Sequence, residues 1–214
     1  MDVVNVTTSA VRRAALAAAE TLIGHSEELC ALDSVAGDGD HGLAMAAAAR
    51  GVIARLDADP GLDGVELLSA VGEEVSKVGG SMGALLFVAA DAAAAAASAA
   101  AGQPEGAVVA LMLAAAQEQI SELGGAAPGD KTILDAVDPA REAACAAVDS
   151  SLAVCLRRAA AAARAGAQDT TTMAARAGRA SRLGDISLGS ADAGATSFSL
   201  ILEAVASVYE GDVV

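Results

Sequence analysis

Residues 83–101 read Gly-Ala-Leu-Leu-Phe-Val-Ala-Ala-Asp-Ala-Ala-Ala-Ala-Ala-Ala-Ser-Ala-Ala-Ala. Alanine is the best helix former and a poor strand former, so this run predicts a helix. The run is apolar enough to raise the question of a membrane span. Asp91 lies in its middle, however, and alanine is only weakly lipophilic. We therefore expect a buried core helix at this position.

The same composition extends over the whole chain of 214 residues. Hydrophobic residues make up 54% of the chain and aromatic residues only 1%, because most of the apolar content is alanine. Small side chains let helices approach each other closely, and no apolar–polar alternation of convincing length predicts a strand. We expect one all-α domain over residues 1–214, with closely spaced helices.

Glycine, proline and capping residues divide the chain into eight predicted helices. Asp63 and Glu66 have the spacing of a capping box before the third helix, and Asp130 is the expected cap of the sixth. The segments run from Thr8 or Ser9 to about Cys30, Leu43 to Leu56, Asp63 to Val78, Gly83 to Ala101, Pro104 to Leu123, Asp130 onward, Ser150 or Ser151 to about Ala177, and Thr196 to Tyr209.

Four glycine-rich breaks separate these helices, near residues 37–42, 79–83, 124–130 and 184–194. They follow the first, third, fifth and seventh helices. In an up-and-down helical assembly, alternate connections share one end. The topology therefore predicts a single composite site built from four loops that are distant in sequence.

The net charge of −15 limits the classes of partner. It argues against nucleic acid and against an anionic membrane surface, because both are met by clusters of Lys and Arg. An acidic surface also serves solubility alone. The three cysteines contain no Cys-x-x-Cys pair, which fits a reducing cytosol. No secretory signal is recognised at the amino terminus, so we expect a cytoplasmic protein.

The strongest chemical signal is the Gly-Asp-Gly-Asp-His-Gly stretch at residues 37–42, with Asp33 just upstream. Carboxylates this close repel each other unless a cation lies between them. Mg²⁺ is held by a few carboxylates together with substrate phosphates. An Asp can also cap a helix, but a cap accounts for one carboxylate rather than three. We therefore predict that Asp33, Asp38 and Asp40 bind Mg²⁺.

Two other motifs share these letters and do not fit. An EF-hand needs a bidentate Glu at loop position twelve, which is Ala49 when the count starts at Asp38. The Gly-x-Gly-x-x-Gly dinucleotide fingerprint needs a preceding strand, and a helix is predicted there.

The remaining breaks carry weaker signals. Residues 79–83, Gly-Gly-Ser-Met-Gly, open a helix whose N–H groups can bind a phosphate or simply mark a break. Residues 124–132, Gly-Gly-Ala-Ala-Pro-Gly-Asp-Lys-Thr, look like a Walker A loop with Asp130 inserted. Without a strand before it, this segment is either a glycine-lined wall against a nucleobase or an ordinary loop. His41 either donates to a phosphate or is a surface or capping residue, and Arg179 either balances phosphate charge or is solvated.

Together these motifs resemble the nucleotide-binding domain of dihydroxyacetone kinases of the L-subunit type. The resemblance covers essentially the whole chain and is carried by residues 32–42, 79–83, 128–132 and 178–197. The first and last of these segments are the most specific. The resemblance implies a barrel of eight antiparallel helices with the nucleotide at one end, which agrees with the topological argument.

The resemblance also implies which residues form the site. Asp33, Asp38 and Asp40 would ligate two Mg²⁺ ions that bridge the phosphates of ADP or ATP. The nucleotide would be surrounded by His41, Gly42, Leu43, Ala44, Ser81, Met82, Gly124, Ile133, Arg179, Asp192, Ala193 and Gly194. Departures from the family pattern, which imply rearranged phosphate contacts, are Ala44, Met82, Ile186, Ser190 and Ala193.

The implied activity is phosphoryl transfer from the nucleotide to a ketose held by a separate K subunit. The nucleotide is either a bound ADP recharged by a phosphotransferase-system phosphocarrier or an exchangeable ATP. Two alternatives stay open, a nucleotide-sensing adaptor without turnover and a kinase subunit for a different ketose. The sequence does not identify the sugar, because its pocket would belong to the partner.

Overall fold

The computed structural model of the chain describes residues 8–78, 80–178, 181 and 184–211. The regular elements in these ranges are all helical, which confirms the prediction of an all-α protein. Two 3₁₀ segments, Thr170–Thr172 and Gly184–Ser187, lie in the long connection before the last helix. The α-helices are α1 Thr8–Gly24, α2 Ser26–Ser34, α3 His41–Ala58, α4 Gly64–Ser76, α5 Gly80–Ala99, α6 Glu105–Gly124, α7 Leu134–Cys145, α8 Leu152–Asp169 and α9 Ala193–Gly211.

Eight of these helices form a closed ring. From α3 to α9 each helix packs against the next, and the ring closes because α1 packs against both α9 and α3. Consecutive helices joined by short connections run in opposite directions when they are neighbours. The ring is therefore the predicted barrel of eight antiparallel helices. The remaining helix, α2, follows α1 and lies against α3 and α9.

The ninth helix arises because the first predicted segment is broken. α1 ends at Gly24 and α2 begins at Ser26. At the break, the Nδ1 atom of His25 lies 2.8 Å from the carbonyl oxygen of Thr21, so this histidine has a structural role. The predicted seventh helix is shorter than expected, since α8 ends at Asp169.

The capping residues predicted from the sequence have mixed outcomes. Asp63 and Glu66 form a complete capping box at the start of α4. The prediction that Asp130 caps the sixth helix is wrong, because α7 begins four residues later, at Leu134. The Asp130 carboxylate instead accepts the N–H of Ala127 and closes the preceding turn.

Small residues allow the close helix spacing that the composition predicts. A Cβ atom at Gly42 would lie 1.9 Å from the carbonyl oxygen of Ser26, so α3 touches the backbone of α2. A Cβ atom at Gly166 would lie 2.0 Å from the carbonyl oxygen of Asp135, where α8 crosses α7. The alanine run forms α5, with Ala89 and Ala94 buried. Within the described residues, no helix is both long and apolar enough to cross a membrane.

Candidate functional site

A cavity of about 530 Å³ opens at one end of the barrel. Its wall takes residues from, or directly beside, all four glycine-rich breaks. The alternation of helix direction brings these breaks together, as the topological argument predicts. Lining residues include Asp33, Asp38, Asp40, His41 and Ala44 from the first break, Val78 beside the second, Lys131, Thr132 and Ile133 after the third, and Ser187, Ser190, Asp192, Ala193 and Gly194 in the fourth.

The three predicted metal ligands converge at this cavity. One carboxylate oxygen from each of Asp33, Asp38 and Asp40 lies within 4.8 Å of the other two. Asp33 is partly buried, whereas the other two carboxylates are exposed. Mg²⁺ takes oxygen ligands at about 2.1 Å, so opposite ligands of one ion are about 4.2 Å apart. The donor type and the spacing therefore fit magnesium.

The Asp33 side chain also holds the loop at residues 37–41 in shape. Its Oδ2 atom accepts backbone N–H groups from Gly39 at 2.8 Å, Asp40 at 3.1 Å and His41 at 3.4 Å. Gly39 has φ +76°, a left-handed conformation that glycine adopts without strain. Because one oxygen organises the loop, Oδ1 can still ligate a cation.

The position of the Asp33 carboxylate requires glycine at residue 37. A Cβ atom there would lie 2.2 Å from Oδ1 of Asp33. The alternative role of Asp40 as a helix cap is not realised, since Asp40 precedes α3 but its side chain makes no capping hydrogen bond.

His41 connects the loop at residues 37–41 to the last helix. Its side chain is buried, and Nε2 lies 2.6 Å from the hydroxyl oxygen of Ser197. That hydroxyl donates to the carbonyl oxygen of Ala193, so the consistent arrangement has the Nε2–H donating to Ser197. Burial lowers the pKa of His41, and the nearby Asp33 carboxylate opposes this only in part. The imidazole is therefore neutral at neutral pH.

The three residues after His41 have different surroundings. Gly42 is buried against α2, where its missing side chain allows the close contact with Ser26 described above. Leu43 is 66% exposed and points to solvent. Ala44 lines the cavity.

Four other residues that the resemblance implies as nucleotide contacts, Ser81, Met82, Gly124 and Arg179, are not among the described residues that line the cavity. Ser81 and Met82 lie in the first turn of α5, and their side chains are outside what the structure describes. Gly124 ends α6 near Leu85 and does not line the cavity. Arg179 lies outside the described residues.

Ile133 and Gly194 bring the third and fourth breaks into contact. A Cβ atom at Gly194 would lie 3.6 Å from the Cβ atom of Ile133. Both residues line the cavity together with Ala193. These three residues form an apolar part of the cavity wall.

Asp192 directly precedes the last helix and is half-buried in the cavity wall. Its carboxylate accepts the N–H of Ala195 at 2.7 Å, and its own N–H donates to the hydroxyl oxygen of Thr170 at 2.9 Å. Burial raises the pKa of Asp192 to about 6, and the Asp135 carboxylate adds to this shift. The Ala195 N–H and the Lys131 ammonium oppose it.

Lys131, Asp135 and Thr170 are absent from the site predicted from the sequence. Lys131 and Asp135 are almost completely buried, at 5% and 6% exposure. Asp135 accepts the N–H groups of Gly129 at 2.5 Å and Thr132 at 2.8 Å, which shapes the third break. The available signal was the Asp-Lys-Thr triplet after a glycine, but its letters do not reveal that the lysine is buried.

Comparison with known families and structures places these features in context. A family model described as "DAK2 domain" matches residues 35–207. The L-erythrulose kinase of Pectobacterium atrosepticum is 35% identical over 204 residues, covering 92% of this chain and 34% of that protein. The ADP-binding subunit DhaL of the PEP-dependent dihydroxyacetone kinase of Escherichia coli is 36% identical, covering 85% of this chain and 87% of that subunit.

A solved structure has the same fold. The crystal structure of the dihydroxyacetone kinase of C. freundii in complex with AMP-PNP and Mg²⁺ aligns with a TM-score of 0.73 and 30% identity. The alignment covers 93% of this chain and 34% of that one. The chain thus spans about a third of the length of the first curated relatives, the erythrulose kinases and triokinases.

Proposed function

Since the chain belongs to the DAK2-domain family, we propose that it is the nucleotide-binding, phosphoryl-transferring part of a ketose kinase. It binds ADP or ATP with two Mg²⁺ ions at the cavity end of the barrel. The ketose is held by a separate K subunit, so turnover requires that partner. The observation that carries this proposal is the convergence of three carboxylates and four distant loops on one cavity.

Different residues of the chain have different roles in the proposed site. Asp33, Asp38 and Asp40 hold the cations, which supply charge neutralisation for the phosphoryl group when bound. Neutral His41 keeps the metal-binding loop fixed to α9. The wall at Ile133 receives the base. Phosphoryl transfer needs positioning and charge stabilisation rather than covalent catalysis, so this set of groups is sufficient for the nucleotide half of the reaction.

Two donors are compatible with the site. The E. coli relative is the ADP-binding subunit of a PEP-dependent kinase, which supports a bound ADP recharged by a phosphocarrier of the phosphotransferase system. The C. freundii structure contains AMP-PNP, which supports exchangeable ATP. Retention of ADP through extended dialysis favours the first donor, and rapid loss favours the second.

The substrate is a small ketose, and the relatives favour two candidates. Three of them are named as kinases of L- or D-erythrulose, whereas others act on dihydroxyacetone by name. A ketose other than dihydroxyacetone is therefore a supported second candidate. Assay of the protein with each K subunit, each donor and each sugar identifies the ketose phosphate formed. Absence of product in every combination, with nucleotide still bound, would leave the adaptor role.

The direct test is native mass spectrometry of the purified protein, which should show ADP and two Mg²⁺ bound. Asp38→Asn and Asp40→Asn should each abolish Mg²⁺-dependent nucleotide binding and leave helicity unchanged. Asp57→Asn is the matched control, because Asp57 is an exposed carboxylate at the far end of α3. Unchanged ADP affinity in either site variant would end the assignment.

A further inference from the structure

Lys131 is a buried cation at the junction between two walls of the cavity. Its side chain is 5% exposed, and its backbone adopts the left-handed conformation with φ +61°. A non-glycine residue in that region is uncommon and is held there by its surroundings. The residue therefore has a specific task that outweighs the cost of burial and of this backbone conformation.

The ammonium group of Lys131 binds the connection that precedes α9. Its Nζ atom donates to the carbonyl oxygens of Met173 at 3.1 Å and Ser190 at 2.7 Å, and also to that of Ser187. A lysine has three N–H donors. All three donors therefore bind backbone carbonyl oxygens, one near the start of the connection between α8 and α9 and two near its end.

Other hydrogen bonds reinforce this junction. The N–H of Arg176 donates to the carbonyl oxygen of Asp130 at 3.0 Å, and the N–H of Ala175 donates to the hydroxyl oxygen of Ser187 at 3.0 Å. The first bond joins the connection before α9 to the third break, and the second joins two parts of that connection to each other. Lys131 is the charged centre of that junction, and charge-assisted hydrogen bonds are the strongest members of such a set.

We propose that Lys131 is a positioning residue for the nucleotide site, because its ammonium fixes the wall at 187–194 against the wall at 131–133. The inference rests on the proposed function only for the identity of the ligand. Ser187, Ser190 and Asp192 line the cavity, so a shift of their backbone changes the cavity itself. The proposed metal-binding carboxylates lie at or just before the first break, whereas Lys131 donates to carbonyl oxygens of the connection before α9.

A direct phosphate contact is the competing role, since Lys131 stands in a segment whose letters look like a Walker A loop. In a P-loop the lysine reaches the β- and γ-phosphates. Here its three donors already have partners. A phosphate contact predicts that loss of the lysine weakens ADP binding but not adenosine binding, whereas positioning predicts a similar fold loss for both.

The test uses Lys131→Met, which keeps the length of the side chain and removes the three donors. The matched control is Lys77→Met, because Lys77 is the other lysine of the chain, its side chain is 67% exposed, and its ammonium pairs with Glu74 of α4 rather than with the connection before α9. We expect Lys131→Met to weaken binding of ADP with Mg²⁺ about tenfold or more, measured by titration calorimetry, and to weaken adenosine binding by a similar factor. Lys77→Met should bind as the unaltered protein does.

Hydrogen exchange provides a readout that does not depend on any nucleotide. In Lys131→Met without ligand, amides of residues 184–192 should exchange about tenfold faster, while those of α3 should not change. Lys131→Gln keeps two donors and should give intermediate values; it also serves where Lys131→Met loses helicity. Lys131→Arg, which keeps charge and donors, should restore most of the affinity.

The outcomes distinguish failure of the proposed nucleotide-binding function from failure of the positioning role of Lys131. If the unaltered protein does not bind nucleotide, the proposed function fails, and hydrogen exchange alone still decides the role of Lys131. Unchanged exchange in residues 184–192 of a folded variant would overturn the inference. Faster exchange with unchanged nucleotide affinity would also overturn it, as would a loss confined to ADP.

Discussion

Replacement of Gly37 by alanine should remove the metal site while leaving the fold in place. The added Cβ atom would lie 2.2 Å from Oδ1 of Asp33, and real Cβ contacts are essentially never under 3.0 Å. The backbone of Gly37 cannot simply move away, because its N–H donates to the Asp33 carbonyl oxygen at 2.6 Å. The carboxylate must therefore recede by about 0.8 Å.

That displacement is large on the scale of metal coordination. Ligand distances in a working site stay within about 0.2 Å of their preferred values. The displacement of Oδ1 is about four times this tolerance. The same rotation stretches the bonds from Asp33 Oδ2 to the N–H groups of Gly39 and Asp40, which hold the loop. Disturbance of supporting groups alone costs about 10–100-fold in metal affinity, and a displaced ligand belongs at the upper end. We therefore expect Gly37→Ala to lower the affinity for the metal ion about a hundredfold, or by about 2.7 kcal/mol of binding free energy.

The assay is titration calorimetry of ADP at saturating Mg²⁺, with Mn²⁺ binding followed by electron paramagnetic resonance as a measure of the cation site itself. Gly61→Ala is the matched control, because a Cβ atom at Gly61 meets nothing within 4 Å. Circular dichroism should show equal helicity in both variants. Binding of Mn²⁺ and ADP by Gly37→Ala at the affinity of the unaltered protein would refute the assigned geometry of Asp33.

Three further outcomes are expected. Gly166→Ala forces a Cβ atom to within 2.0 Å of the Asp135 carbonyl oxygen, so the free energy of unfolding in urea should fall by about 1–3 kcal/mol; equal stability would contradict the close α7–α8 contact. Thr170→Val removes the buried hydroxyl that accepts the Asp192 N–H, and thermal unfolding should show a loss of about 1–3 kcal/mol, whereas an unchanged midpoint would show that this N–H finds another acceptor. Burial raises the pKa of Asp192 from 3.8 to about 6, so the folded state binds that proton more tightly and this group's contribution to stability falls as the pH rises from 3.8 to about 6. Asp192→Asn should lack this slope in urea titrations across that range, and an identical slope in both proteins would be inconsistent with a buried carboxylate.

Much of the fold follows from local signals. The alanine-rich run at 83–101 forms α5, and the spacing of Asp63 and Glu66 gives a complete capping box. Errors occur where a local rule competes with packing. The segment from Thr8 to Cys30 contains no proline and a single glycine, yet the helix is interrupted at Gly24 and His25, where α2 turns against α3.

Some features of the candidate site could be predicted from the sequence, whereas others depend on tertiary packing. The grouping of Asp33, Asp38 and Asp40 could be predicted, because the three carboxylates are close in sequence, and like charges so close favour a common cation. The role of Lys131 could not, because whether a lysine faces solvent or three carbonyl oxygens depends on where a distant connection lies. The resemblance implies that Gly42 lies at the phosphates, which stays a prediction; the structure shows that Gly42 permits the close contact between α2 and α3.

Composition and short-range spacing determined the helical class, the order of the breaks and the group of residues able to hold Mg²⁺, since these depend on propensity and charge over a few neighbouring residues. Tertiary packing alone decided which loop walls meet, which carboxylate oxygen organises the loop and which polar side chains are buried. The physical reason is that burial and hydrogen-bond partners are set by segments far apart in the chain, which only the closed ring of helices brings within contact distance.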